Sequence, residues 1–352
     1  MLRLDLLAED ACYSLQGVPV EQMAGKTVLL SGATGILGTH FLYGLAHCQS
    51  ALHLPIRVVA IAHRGIPEHL QSLGQQGYVH FLCGNLAELD FLASLPKADL
   101  IIHAATYGQP SLFIEHSLET LKLNTTTTFA LLDKMLPTGK FLFISSSEVY
   151  SGLLTPPFSE NEIGTTNTDH PRACYIEAKR CGEAICMSYQ MQGIDARSAR
   201  VSLGYGPGVR LGDKRVLHAF IERALREGSI RLKDQGRAKR TYCYIRDSVN
   251  MLWRILLQGT SSLYNVGGIS TTTIADLALM IGEILDVPVH FPPEADGGLA
   301  GAPDEVSLNL SRFTREFGPM NFTDLHTGLT RTIDWQKSLH MQTKTQLDGD
   351  LV

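Results

Sequence analysis

Six short apolar runs recur along the first part of the chain: "TVLLSGA", "RVVAIAH", "VHFLCG", "LIIHAA", "KFLFISSS" and "DARSARVS". Longer amphipathic stretches separate them. β-prone runs of this length, alternating with helical patterns, make βαβ units and a parallel sheet with helices on both faces. The fold class is therefore α/β: a Rossmann-type doubly wound parallel sheet with a smaller C-terminal substrate-binding lobe. After Arg200 the alternation loosens. Gly and Pro rise in "GYGPGVRLGD", helical patterns follow in "RVLHAFIERALREG" and "DSVNMLWRILLQG", and "FPPEADGGLAGAPDE" is rich in turn residues. These shifts divide the chain into a helical extension (1–25), a nucleotide-binding domain (26–200), a substrate-binding lobe interleaved with it (201–340) and a flexible tail (341–352). The extension, "LRLDLLAEDACYSL", repeats apolar residues at helical spacing, and is expected to pack on the main domain as a lid or dimer arm.

Composition narrows the function. Apolar residues make up 44% and charged residues 18%, which is globular, and a net charge of −5 gives no footprint for nucleic acid or an anionic membrane. The basic cluster "RLKDQGRAKR" is local and reads equally well as a solvated loop. The seven cysteines form no Cys-x-x-Cys pair, as in a reducing compartment, and the thirteen histidines form no ligand-like cluster, so no metal site is expected. No run is long enough to span a membrane and no signal-peptide core is present, so the expectation is a cytoplasmic protein.

"VLLSGATGILGTHFL" sets Gly32, Gly35 and Gly38 directly after the first strand and at the start of a helix. Gly32 permits a tight turn, Gly35 lets a pyrophosphate approach the backbone, and Gly38 allows helix and strand to pack closely. In this position the motif reads as a dinucleotide loop, with Thr34, Ile36 and Leu37 completing it. The second strand ends in His63 and Arg64 rather than the acid that would hold the adenosine ribose. The cofactor is read as NAD, with NADP left open because Arg64 suits a 2′-phosphate. Asn85 and Leu86 in "CGNL", Ala104, Ala105 and Thr106 in "HAATYG", and Asn124 complete the expected cofactor channel.

"YIEAK" places Tyr175 and Lys179 on one face of a helix. An ammonium near the phenol favours phenolate, which then serves as general base toward a sugar hydroxyl. Both residues also face the cofactor. Taken together, "GATGILG", "HAA", "SSSEVY" and "YIEAK" resemble the extended short-chain dehydrogenase/reductases, the nucleotide-sugar epimerases, dehydratases and decarboxylases. The resemblance runs from Lys26 to "GLTRTIDW". Within that family "HPRACYIEAKRCGE", "SLETLKLNTTTT" and "KRTYCYIRDSV" are similar to UDP-glucuronate decarboxylase segments.

What the resemblance implies can be set out by residue. Ser146 sits beside the sugar O4, and Tyr175 takes its proton while C4 is oxidised. Ser147, Glu148 and Arg240 manage the C6 carboxylate and protonation at C5. Tyr107, Leu203, Arg210, Arg215 and Arg240 are the substrate-binding candidates. The partner is a nucleotide sugar, and a homodimer is expected through a four-helix bundle built on "SLETLKLNTTTTFALLDKM" and "YIEAKRCGEAICMSYQM".

The sequence departs from the decarboxylases in its nucleotide pocket. Leu203 replaces their asparagine, Gly206-Pro207-Gly208 replaces Gly-Pro-Arg, and "APDEVSLNLS" offers no counterpart to a C-terminal arginine. Arg210, Arg215 and Lys239 are the available diphosphate ligands. A 4-epimerase, which gives Glu148 no chemical task, and a 4,6-dehydratase of the GDP-mannose type, which shares the Ser-Glu pair, remain alternatives. A reading of another class is a non-catalytic NAD(P)-binding regulator, although such relatives often lose the tyrosine or lysine retained here.

Overall fold

The computed structural model describes residues 2–293 and 305–349. Each of the six apolar runs forms a strand: β1 (Thr27–Ser31), β2 (Arg57–Ala62), β3 (His80–Cys83), β4 (Ala98–His103), β5 (Met135–Ser146) and β6 (Asp195–Val201). They lie in one parallel sheet in the order β6-β5-β4-β1-β2-β3. A seventh strand, Leu263–Val266, joins at the β6 edge. That strand returns from the C-terminal half, so the sheet is completed by residues beyond the boundary near Arg200. The alternation inside the strands sorts side chains to two cores. Val28, Leu30, Leu142 and Ile144 enter one, and Leu29, Ile101, Phe141 and Phe143 enter the other. Both faces are buried, as a parallel sheet requires.

The smaller lobe is organised around the strand Lys239–Tyr244. It pairs antiparallel with Ser270–Thr273 and parallel with Glu305–Val306 and Gly204–Tyr205. Of "FPPEADGGLAGAPDE", residues 294–304 lie outside the described residues.

The N-terminal extension packs on the main domain, as expected, and does so as part of the body rather than as a lid laid over it. The first helix, α1 (Leu4–Ser14), is part of the body: Leu6 and Leu7 pack with Val209 and Trp335 in a buried cluster. Asp10 on this helix is fully buried and accepts hydrogen bonds from Tyr244 Oη (2.7 Å) and Arg331 Nη2 (3.0 Å), with Arg246 at 3.7 Å. A buried carboxylate with these partners cannot swing free without stranding its charge. The region expected to be a flexible tail is helical through Gly349 in the helix Leu325–Gly349, and 350–352 lie outside the described residues. The segment "SLETLKLNTTTTFALLDKM" is two helices, Ser117–Asn124 and Thr126–Leu132, broken at Thr125. Thr125 has φ −118° and ψ −80°, and its hydroxyl donates back to Leu121 O (2.7 Å). Such back-bonding by threonine competes with regular helix geometry.

Candidate active site

A cleft of about 1960 Å³ opens at the C-terminal ends of the parallel strands. Its volume exceeds the usual small-ligand range of roughly 300–1,000 Å³, so there is room for two large ligands side by side. Position and topology agree: open parallel sheets bind ligands beyond the carboxyl ends of their strands.

The glycine loop forms one end. Gly32 turns the chain at φ +70°, and a Cβ there would lie 2.5 Å from the Ala104 carbonyl carbon, so only glycine lets β1 and β4 exit side by side. The helix α2 (Ile36–Ser50) begins at once, with Gly35 as an N-cap that lacks a capping side chain. Its first-turn N–H groups have no intrahelical partners and face the cleft, which is the cradle a dinucleotide pyrophosphate requires. The residues therefore fit the expected cofactor. His63 and Arg64 stand exposed at the end of β2. Asn85, Leu86, Ala104, Ala105, Thr106 and Tyr107 line the same channel, and Tyr107 stacks on His116 with ring centres 4.6 Å apart. Asn124 lies beneath this wall rather than on it. It is fully buried and donates to Thr106 Oγ1 (3.0 Å) and Thr120 O (2.7 Å), so it reaches the cleft through Thr106.

The candidate reaction centre is built by β5 and the helix Ala173–Gln190. Gly182 lets them meet, because a Cβ there would fall 2.3 Å from the Phe143 ring. Lys179 is buried and donates to Ile144 O (2.6 Å), with its Nζ 5.6 Å from the centre of the Tyr175 ring. Burial pulls the Lys179 ammonium down to about 7, while Glu183 opposes the shift. Tyr175 is stacked flat on Phe113, with ring centres 4.5 Å apart. Burial pushes its phenol up to about 12, and hydrogen bonding with Ser146 works against this. Ser146 caps the short 3₁₀ helix Ser147–Tyr150 by accepting from Glu148 N (3.2 Å), which fixes Ser147 and Glu148 at the cleft wall.

Glu148 ion-pairs with Arg172. Burial raises its carboxyl above the ordinary value, opposed by Arg172, Arg240 and His170. Arg240, on the central strand of the smaller lobe, thus acts on Glu148 across the cleft. The sequence reading passed over Arg172, although it stands three residues before Tyr175 and so shares its helical face. It also missed the frame behind the centre. Ser145 donates to Glu183, and Arg200 on β6 holds both Glu183 oxygens, at 2.9 and 2.7 Å. At the other end, Ser31 and His103 share a buried hydrogen bond of 2.7 Å, and His103 Nε2 reaches Leu123 O (2.8 Å). These links join elements far apart in sequence.

The arginines considered for a diphosphate are placed differently. Arg210 donates to Thr34 O (3.1 Å) and so stands at the glycine loop. Arg215 holds the buried carboxylate of Asp213 through Nε (3.0 Å) and Nη2 (2.6 Å). Lys239 is exposed at the start of its strand, and its carbonyl accepts from Arg240 Nη1 (2.7 Å). Leu203 lines the cleft at φ +38°, left-handed backbone that leucine rarely adopts.

Comparison with known proteins follows the same geometry. Residues 28–267 match the model of the NAD dependent epimerase/dehydratase family. The chain is 30% identical over 327 residues to UDP-glucuronic acid decarboxylase 1 of Xenopus tropicalis, covering 91% of this chain and 75% of that protein. It is 31% identical over 327 residues to the Danio rerio protein of the same name, with the same coverage of 91% and 75%. Among solved structures, UDP-glucuronic acid 4-epimerase from Bacillus cereus, in complex with UDP-glucuronic acid and NAD, superposes with a TM-score of 0.74 at 22% identity, covering 89% of this chain and 99% of that one. The Bordetella bronchiseptica enzyme WbmF, in complex with NAD+, gives 0.69 at 25% identity, covering 94% and 98%.

Proposed function

Since the chain belongs to the NAD dependent epimerase/dehydratase family, we propose that it is an NAD-dependent nucleotide-sugar decarboxylase acting on UDP-glucuronate or a close analogue. The observation that carries this reading is Glu148, held by Arg172 beside a buried Tyr175, in a chain whose curated relatives are named UDP-glucuronic acid decarboxylases. A 4-epimerase needs no ion pair at that point. NAD, when bound, supplies reversible hydride acceptance at the sugar's C4. The protein's own part is proton management. Tyr175 receives the O4 proton, Ser146 holds the same oxygen, and Lys179 provides the positive charge that favours phenolate. A ketone at C4 is β to the C6 carboxylate, so carbon dioxide leaves and the electrons remain as a C5 enolate. Ser147, Glu148 and Arg240 bound the space where C5 then takes up a proton drawn from solvent, so decarboxylation consumes one proton overall. Gly32 to Gly38 hold the pyrophosphate, and His63 and Arg64 flank the adenosine ribose.

Incubation with UDP-glucuronate and NAD+ is expected to release carbon dioxide and give a UDP-pentose or its 4-keto form, read by mass spectrometry. Water loss from GDP-mannose with UDP-glucuronate untouched would instead establish a dehydratase, the reading that Arg64 at the end of β2 favours through NADP. Isomerisation without mass change would establish an epimerase. A homodimer is part of the proposal. Leu118, Leu121 and Phe129 on the paired short helices, and Met187 and Met191 on the tyrosine helix or just after it, are exposed apolar side chains suited to a four-helix contact. A cytoplasmic location is part of the same proposal; no helix among the described residues is long and apolar enough to cross a membrane.

A further inference from the structure

Arg172 has no task in the scheme above beyond its contact with Glu148, yet it is tied to every part of the reaction centre. It is the N-cap residue of the tyrosine helix, so its backbone moves with Tyr175. Its guanidinium carbon stands 5.8 Å from the centre of the Phe113 ring, which is itself stacked on Tyr175. Its Nη2 holds Glu148 Oε1, and the two side chains remain 28% and 30% exposed toward the cleft. Its Nε is buried and makes no hydrogen bond. A guanidinium is a planar fork that matches a carboxylate through two parallel N–H donors. Here one nitrogen serves Glu148 and a buried donor is left unmet, which costs free energy until an acceptor arrives.

We propose that Arg172 is the specificity-determining residue of the reaction centre, aiming Glu148 and receiving the sugar's C6 carboxylate on its remaining donors. This rests on the decarboxylase reading. An anionic carboxylate entering the cleft loses water and needs a fixed cation in exchange. A hydroxymethyl group in its place leaves the donors unmet, so the site discriminates by what the wrong substrate fails to satisfy. A lysine is a point charge and cannot hold Glu148 and a second carboxylate in one plane.

The test is calorimetric binding of UDP-glucuronate and UDP-glucose to the NAD-loaded Tyr175→Phe protein, whose turnover is expected to be suppressed, with and without Arg172→Gln. The expected result is about a 30-fold or greater preference for UDP-glucuronate in the parent, falling to near parity with Arg172→Gln while UDP-glucose affinity holds. Persistence of the preference in Arg172→Gln overturns the proposal, as does a parallel loss for both sugars. If Arg172→Gln fails to fold, Arg172→Lys is read in its place. Partial preference supports the fork, and full preference sinks it. A parent without preference defeats the decarboxylase reading itself, which separates the two failures.

Discussion

On the β5 side of the cleft the charged and phenolic groups face one another across the reaction centre: Tyr175 over Lys179, and Glu148 against Arg172. On the side of the smaller lobe, Arg215 is turned onto Asp213 and Arg210 onto the glycine loop. The first wall rests on a strand end and a helix pinned together by Gly182, the Lys179–Ile144 hydrogen bond and the Glu183–Arg200 pair. The second carries Arg210, Asp213 and Leu203 on loop, Leu203 in a backbone state that suits glycine or asparagine, while Arg240 stands on a strand. On the proposed reading, chemistry, which needs fixed distances, sits on rigid elements, and the choice of nucleotide falls to loops that can change without disturbing it.

The largest effect that would break this contrast concerns Tyr175. Tyr175→Phe is expected to lower turnover about 10³-fold or more with NAD affinity retained, and comparable turnover would remove the general base from the proposal. Glu148→Gln should cost about 10²-fold. In the parent the ionised Glu148 pairs with Arg172 and burial raises its carboxyl above the ordinary value, so activity is expected to fall as pH drops through that raised point. Arg172, Arg240 and His170 face that carboxyl and hold the point down, and the variant should lose this acid limb of the pH–rate profile. A limb that persists in Glu148→Gln belongs to another group.

How much of this was legible in the sequence follows from the same contrast. The strands were readable because each is a continuous run with its own punctuation. The seventh, Leu263–Val266, was passed over because it returns to the sheet from the C-terminal half, where the alternation of apolar runs and helical stretches has already loosened. Tyr175, Lys179 and the serines were readable because spacing on one helix and one strand end fixes their geometry. Arg172 needed only the helical offset from Tyr175. Arg215 turns onto Asp213, two residues away, but the settings of Arg210 and Asn124 depend on Thr34 and Thr106, partners brought by tertiary packing that neither periodicity nor spacing encodes. The same holds for Asp10, whose burial turns an apparent surface helix into a fixed part of the body.

Two smaller effects sharpen the second wall. Arg215→Met leaves Asp213 buried without its cation, so the expected outcome is a stability loss of about 1–3 kcal/mol in denaturant unfolding, with substrate KM little changed. A raised KM at unchanged stability would instead make Arg215 a diphosphate ligand. Leu203→Asn relieves the left-handed strain but gives up apolar contact, for a net change under about 1 kcal/mol. Its more telling readout is affinity for the nucleotide sugar, which should rise if a polar group is wanted there. No gain would show that this chain has a pocket suited to leucine.

The junction of Asp10, Tyr244 and Arg331 bears on the order in which the molecule assembles. Asp10 and Arg331 are 321 residues apart, so their contact closes nearly the whole chain into one loop. Closing so long a loop adds little free-energy cost, because the entropy grows only with the logarithm of length, but contacts of such separation form late. A growing chain that lacks the last helix leaves Asp10 with Arg246 as its remaining cation, at 3.7 Å. Tyr244 ends the strand that carries Arg240, and its hydroxyl takes a hydrogen bond from Arg331 (3.0 Å). That strand is therefore tied directly to the C-terminal helix, and the setting of Arg240 is coupled to the docking of Leu325–Gly349.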